Sequence, residues 1–237
     1  MSITAILFVE FVLAVAIALL ALLRTALSPR TWAVLAVGLA LWLAYVGALS
    51  WAGVVRDPAL RPPGIVCVVG PGGLFIAFAV MRSRLAGAVA RALPLGVVIV
   101  FQTYRVGVEL VLDQLWREGL VPRVLTFEGA NVDIWIGASA PLVAWIATRG
   151  RAGERVALVW NVLGLLALAN VVVRSALTAP GALHLLNAEV PNLAIGTFPY
   201  TFIAGFLAPL AVTLHILALR ALAARLAIPI TPKRLAT

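Results

Sequence analysis

The run ITAILFVEFVLAVAIALLALL, residues 3–23, decides the fold class. It carries one ionisable side chain, Glu10, and it is long enough to cross a bilayer, which takes roughly 20 mostly apolar residues in a helix. A cleavable signal would start with cations and have a shorter apolar core, so this run reads as a first membrane span. Six more apolar runs follow it. The expected spans are 3–23, 32–54, 64–81, 94–116, 132–148, 156–177 and 199–222. Pro29, Pro62, Pro63, Pro94, Pro180 and Pro199 fall near their ends, where a missing N–H costs least. Trp32, Trp51, Trp116, Trp135 and Tyr200 also fall there, as interfacial aromatics do. The expectation is an all-α polytopic membrane protein, a bundle of seven transmembrane helices. It occupies residues 1–223 as one domain, and 224–237 form a short tail.

Composition supports this reading. Charged residues make up 11% of the chain and the mean hydropathy is +1.10, whereas about a quarter of a soluble domain is charged. The net charge of +9 does not imply nucleic acid, because the arginines sit in short loops between apolar runs rather than in one basic stripe. Such loops carry orientation signals. Arg24, Arg30, Arg82, Arg84 and Arg91 share one predicted side with Arg149, Arg151, Arg155, Arg220, Arg225, Lys233 and Arg234. Arg56, Arg61, Arg117 and Arg123 share the other. The positive-inside rule then places the N-terminus outside and the C-terminus in the cytoplasm. An even number of spans would break this alternation.

Several chemistries are excluded. Cys67 is the single cysteine, so the chain forms no internal disulfide and no thiolate cluster. Lys233 is the single lysine and lies in the tail, which rules out a retinal Schiff base within the bundle. His184 and His215 stand on distant segments without metal-ligand spacing. No metal and no cofactor is expected.

Span four carries the strongest polar signal. Arg105, Glu109 and Asp113 recur every fourth residue, and Arg117 continues the series. Each step of four turns about 40° around a helix, so the four side chains form one slowly winding stripe. A charge at the centre of a bilayer costs roughly 2.5–3.5 kcal/mol even on lenient scales, so the inner members need partners or a watery cavity. Arg105 and Glu109 are placed to neutralise each other. Asn170 and Arg174 on span six are also four apart, and Arg174 is expected to meet Glu109, Asp113, Glu128 or Asp133. Glu10 lies at comparable depth. Gly70-Pro71-Gly72-Gly73 interrupts span three, where freed carbonyls would either line the same cavity or mark a tightly packed kink. Trp160, Asn161 and His215 form a weaker set, read as lying towards the cytoplasm. Gly137-Ala138-Ser139-Ala140 is similar to the serine motif of rhomboid proteases, with His215 as its base, although the two residues are expected at different depths.

The outer loops hold the remaining polar residues. Glu118, Glu128 and Asn131 precede Asp133 at the start of span five; His184, Asn187, Glu189 and Asn192 lie between spans six and seven. In TFEGANVD, residues 126–133, Gly129 permits a tight turn, Asn131 is suited to begin the fifth helix, and Asp133 falls in its first turn. That leaves Glu128 to face an arginine or a ligand.

The pair Arg105 and Glu109, the octapeptide TFEGANVD and the dipeptide Ala140-Pro141 together resemble a family of small bacterial multi-pass membrane proteins. Weaker echoes occur at Trp160-Asn161 and Asn170. The resemblance implies no activity, because that family has none assigned; it implies a bacterial inner (plasma) membrane protein whose outer loop is a site. Three functions fit the residues. One is a binding or transport protein with an outward-facing polar cavity for a small anionic, zwitterionic or lipid-like ligand, formed by Arg105, Glu109, Asp113, Glu128, Asn131, Asp133, Asn170 and Arg174. Another is an intramembrane enzyme on a lipid or isoprenoid, with Glu109 or Glu128 as acid or base. The third is a structural or assembly subunit with ion-pair-locked helices.

Overall fold

The computed structural model describes residues 1–57, 59–180, 185–186 and 188–226. His184, Asn187 and the tail cations Lys233 and Arg234 lie outside them. The described residues are all-α, without a strand. Nine α-helices follow in order: α1 (Ile3–Arg24), α2 (Pro29–Trp51), α3 (Val66–Phe75), α4 (Arg84–Ala92), α5 (Leu95–Phe101), α6 (Tyr104–Arg117), α7 (Asp133–Ala147), α8 (Gly150–Leu177) and α9 (Ala208–Leu226). π-Helical turns extend α3 through Ile76–Val80 and precede α9 at Ile203–Leu207.

Five of these segments are long and apolar enough to cross a membrane: α1, α2, the joined pair Leu95–Arg117, α8, and Ile203–Leu226. A sixth arises if α3 and α4 count as one span, although they meet at 73°. Helix α7 is apolar but has 15 residues, which gives about 22 Å against a hydrocarbon thickness of about 30 Å.

Local sequence sets the helix boundaries. Ser2, Ser28 and Ser83 each accept a hydrogen bond from an amide in the first turn of α1, α2 and α4. Pro29 enters α2 at a position whose N–H would have had no partner. Several expected boundaries move, and two of the shifts bear on the site. Helix α8 begins at Gly150 rather than 156, and α9 runs to Leu226 rather than 222. Both shifts bring His215 and Asn161 nearer the middle of their helices.

Helix α2 staples the two broken helices. Pro71 cannot donate to the Cys67 carbonyl, and the Tyr45 hydroxyl does so at 3.1 Å. Pro209 likewise cannot serve the Gly205 carbonyl, which accepts from the Trp42 indole N–H at 2.7 Å. The interruption in span three is thus a sealed kink, with its freed carbonyl taken by a neighbouring helix. Tyr45→Phe removes one such bond and is expected to destabilise the bundle by about 1 kcal/mol, read by unfolding in detergent micelles. Arg220 of α9 performs the same service at the other end of this segment, donating to the carbonyls of Val80 (2.5 Å), Met81 (3.1 Å) and Ser83 (3.1 Å).

Candidate functional site

Helices α6, α7, α8 and α9 contribute one buried polar chain, and two glycines make it fit. At Gly137 a β-carbon would stand 2.9 Å from the Val106 amide nitrogen and 3.2 Å from the Arg105 β-carbon. Helices α6 and α7 therefore touch there, one turn from Asp133. At Gly164 a β-carbon would run into the imidazole of His215, so α8 leaves that ring its room.

Arg105 is 2% exposed. Its Nε donates to Asp133 Oδ2 at 2.7 Å and its Nη2 to Oδ1, a two-pronged pairing of guanidinium and carboxylate. Its Nη1 lies 2.7 Å from His215 Nε2. A guanidinium only donates, so Nε2 accepts; Nδ1 then carries the proton and donates to Asn161 Oδ1 at 2.8 Å. The Asn161 amide in turn donates to the Ala157 carbonyl at 2.8 Å. Every donor from Arg105 to Ala157 points the same way, and the imidazole is neutral in this arrangement.

On the other side of Asp133 the chain reaches Glu109. Asn131 Oδ1 accepts from the Asp133 amide at 2.9 Å, while its Nδ2 donates to Glu109 Oε2 at 2.7 Å and to the Leu125 carbonyl at 3.0 Å. Asn131 thus stabilises the start of α7 from one residue further out than expected, since Val132 occupies the N-cap position. Glu109 is 1% exposed. The expected Arg105–Glu109 pair does not form, because the closer α7 places Asp133 in the guanidinium's fork.

The outer members of the stripe separate from the inner ones. Asp113 pairs with exposed Arg117 at 2.9 Å, and Glu128 is 3.9 Å from the same arginine. Glu109 is enclosed while Glu128 stands exposed. Glu10 is exposed. Arg174 meets none of its expected acids; its Nε donates to Asn170 Oδ1 at 2.8 Å. Asn170 Nδ2 donates to the Ala130 carbonyl at 2.9 Å, which ties α8 to the TFEGANVD loop next to Asn131. The loop before α7 and the loop after α8 also join. Leu193 donates its amide to the Leu120 carbonyl at 2.9 Å, and Glu189 accepts from the Arg123 amide. Ser139 makes no dyad: its hydroxyl donates to the Trp135 carbonyl at 2.6 Å and accepts from Trp160 Nε1 at 2.9 Å.

Reading along the sequence placed Asn161 and His215 apart from the stripe. The missed signal was the unspent donor of Arg105. A buried guanidinium forked onto one carboxylate still needs an acceptor, and His215 and Asn161 are mid-helix polar residues on the neighbouring helices α9 and α8.

A groove of about 470 Å³ opens on α8, lined by Leu166, Ala169, Asn170, Val173, Arg174, Leu177 and Leu186. Its wall is apolar apart from Asn170 and Arg174. Among the described residues no carboxylate pairs with Arg174.

Long apolar helices packed around an enclosed ion pair define an integral α-helical membrane protein. More particularly, the chain belongs to the family described as a domain of unknown function, DUF8737, whose model matches residues 62–223. That agrees with the expected kinship to a family without an assigned activity. Neither a curated protein nor a solved structure matches the chain.

Proposed function

We propose that this protein crosses the membrane seven times, N-terminus outside and C-terminus in the cytoplasm, and binds a small anionic or zwitterionic lipid-like ligand on its extracytoplasmic half. Seven spans follow if the Val66–Val80 segment and α7 both cross by drawing the bilayer slightly thinner or by adding their flanking residues. Residues 1–223 then form the membrane domain and the remainder a cytoplasmic tail. The uneven distribution of loop arginines supports this orientation.

The observation that carries the binding site is the groove on α8. Among the described residues no acid meets this guanidinium on its otherwise apolar wall; Asn170 takes its Nε, and no described partner takes either Nη group, which suits an anion. Leu166, Val173 and Leu177 then receive an alkyl chain. A carboxylate or phosphate beside Arg174 would supply the countercharge that the described residues withhold. Asn170 links this site through Ala130 to Asn131 and the buried network, so occupancy there can bias the packing of α6 and α7. Transport of the ligand would add a dependence on an ion gradient; simple binding would not.

The residues first grouped as one site thus divide by role. Arg174 and Asn170 hold ligand. Arg105, Asp133, Asn131 and Glu109 lock helices, which is the structural reading applied to the inner half of the set; the forked, enclosed Arg105–Asp133 pair favours it. Asp113 and Glu128 set the charge of the outer rim with Arg117. Native mass spectrometry of the gently extracted protein tests this division. A defined adduct is expected on the wild type and on Glu109→Gln, and it should be lost from a folded Arg174→Gln. A folded Arg174→Gln that keeps the full wild-type set of adducts refutes the groove as the site.

A further inference from the structure

We infer that a second, separate site at the opposite end of the bundle holds the phosphate of an anionic phospholipid between Arg91 and Arg225. A groove of about 360 Å³ lies there between α4 and the end of α9, lined by Ala90, Arg91, Ala221, Ala224 and Arg225. The three alanines make a smooth apolar floor, and the two arginines supply its charge.

Its placement suits a lipid. Helix α4 turns 73° away from the α3 segment, so if α3 crosses the bilayer, α4 lies nearly along its surface. Arg84 and Arg91 are seven residues apart on α4 and share one face, while Gly87, Val89 and Ala90 are buried against the bundle. Arg220 beside this groove is occupied by the helix-end carbonyls of Val80, Met81 and Ser83 and has no fork to offer. Arg225 reaches Glu154 at 3.5 Å, and among the described residues Arg91 makes no ion pair. Among the described residues Arg225 thus has one carboxylate and Arg91 none, and the missing negative charge is that of a phosphodiester. The chain's own residues after 226 are a poor occupant by charge, since they bring Lys233 and Arg234 and no acidic side chain. Cationic residues near a membrane surface each favour an anionic headgroup, and two directed into one groove select it over a zwitterionic one.

The test is native mass spectrometry of the full chain in detergent with equal amounts of phosphatidylglycerol and phosphatidylcholine of the same acyl chains. Wild-type protein is expected to retain phosphatidylglycerol selectively. Arg91→Gln/Arg225→Gln should retain about tenfold less, and the same loss should appear whether or not Arg174 is present, which separates this site from the groove on α8. Ala224→Leu fills the groove while keeping both charges; it should lose the lipid as well, and it decides the matter if the double variant fails to fold. Undiminished phosphatidylglycerol on either folded variant overturns the proposal. So does displacement by excess inorganic phosphate, which would mark a site for the free ion.

Discussion

Asp133→Asn is expected to lower the unfolding free energy by about 3–5 kcal/mol, the cost of leaving one member of a buried ion pair without its partner. Arg105 has no other carboxylate in its fork; His215 offers a neutral nitrogen, and Glu109 is engaged by Asn131. The variant should therefore unfold at lower denaturant in mixed micelles. Arg105→Gln/Asp133→Asn should recover much of the loss, because two neutral amides at the same place need no countercharge. The difference between the double variant and the sum of the singles measures the coupling. Equal losses in the single and double variants would mean that the pair contributes little beyond packing.

Gly164→Ala should be nearly as damaging, by about 3 kcal/mol, although it adds one methyl group. The new carbon would occupy the space of the His215 ring. That ring has nowhere to go: Arg105 holds one nitrogen, Asn161 the other, and the tilted Trp160 ring packs beside it with ring centres 5.5 Å apart. Most of the penalty should vanish in a His215→Ala background, where the methyl meets empty space instead. An additive double variant would place the strain in the helix backbone rather than at the imidazole.

The sequence made the membrane class legible because apolar length is a one-dimensional quantity, and runs such as residues 3–23 need no partner to be read. The importance of Arg105, Glu109, Asp133 and Asn131 was also legible, since mid-helix charge in a bilayer demands compensation. Who compensates whom was not. The partner of Arg105 depends on how closely α7 approaches α6, and that distance is set by the absent side chain of Gly137. A shift of a few residues in the starts of α8 and the end of α9 was enough to separate Asn161 and His215 from the network. The kink at Pro71 showed in the sequence, but its cap, Tyr45, lies on another helix at no readable spacing. Arg174 was recognised as a charge near the outer end, yet only the packing of α8 shows that the acids it was expected to meet are spent elsewhere.

The proposed seven-span topology underlies the assignment of the α8 groove to the extracytoplasmic side, and it requires α7 to cross. In a Cys67→Ala background, single cysteines at Glu118 and Thr148 flank that helix on exposed positions, and a membrane-impermeant maleimide can be applied to intact cells. The expected result is labelling of Glu118→Cys at once and of Thr148→Cys only after the membrane is opened. Labelling of both from the same side would mean that α7 does not cross, and would contradict the orientation and the groove's placement with it.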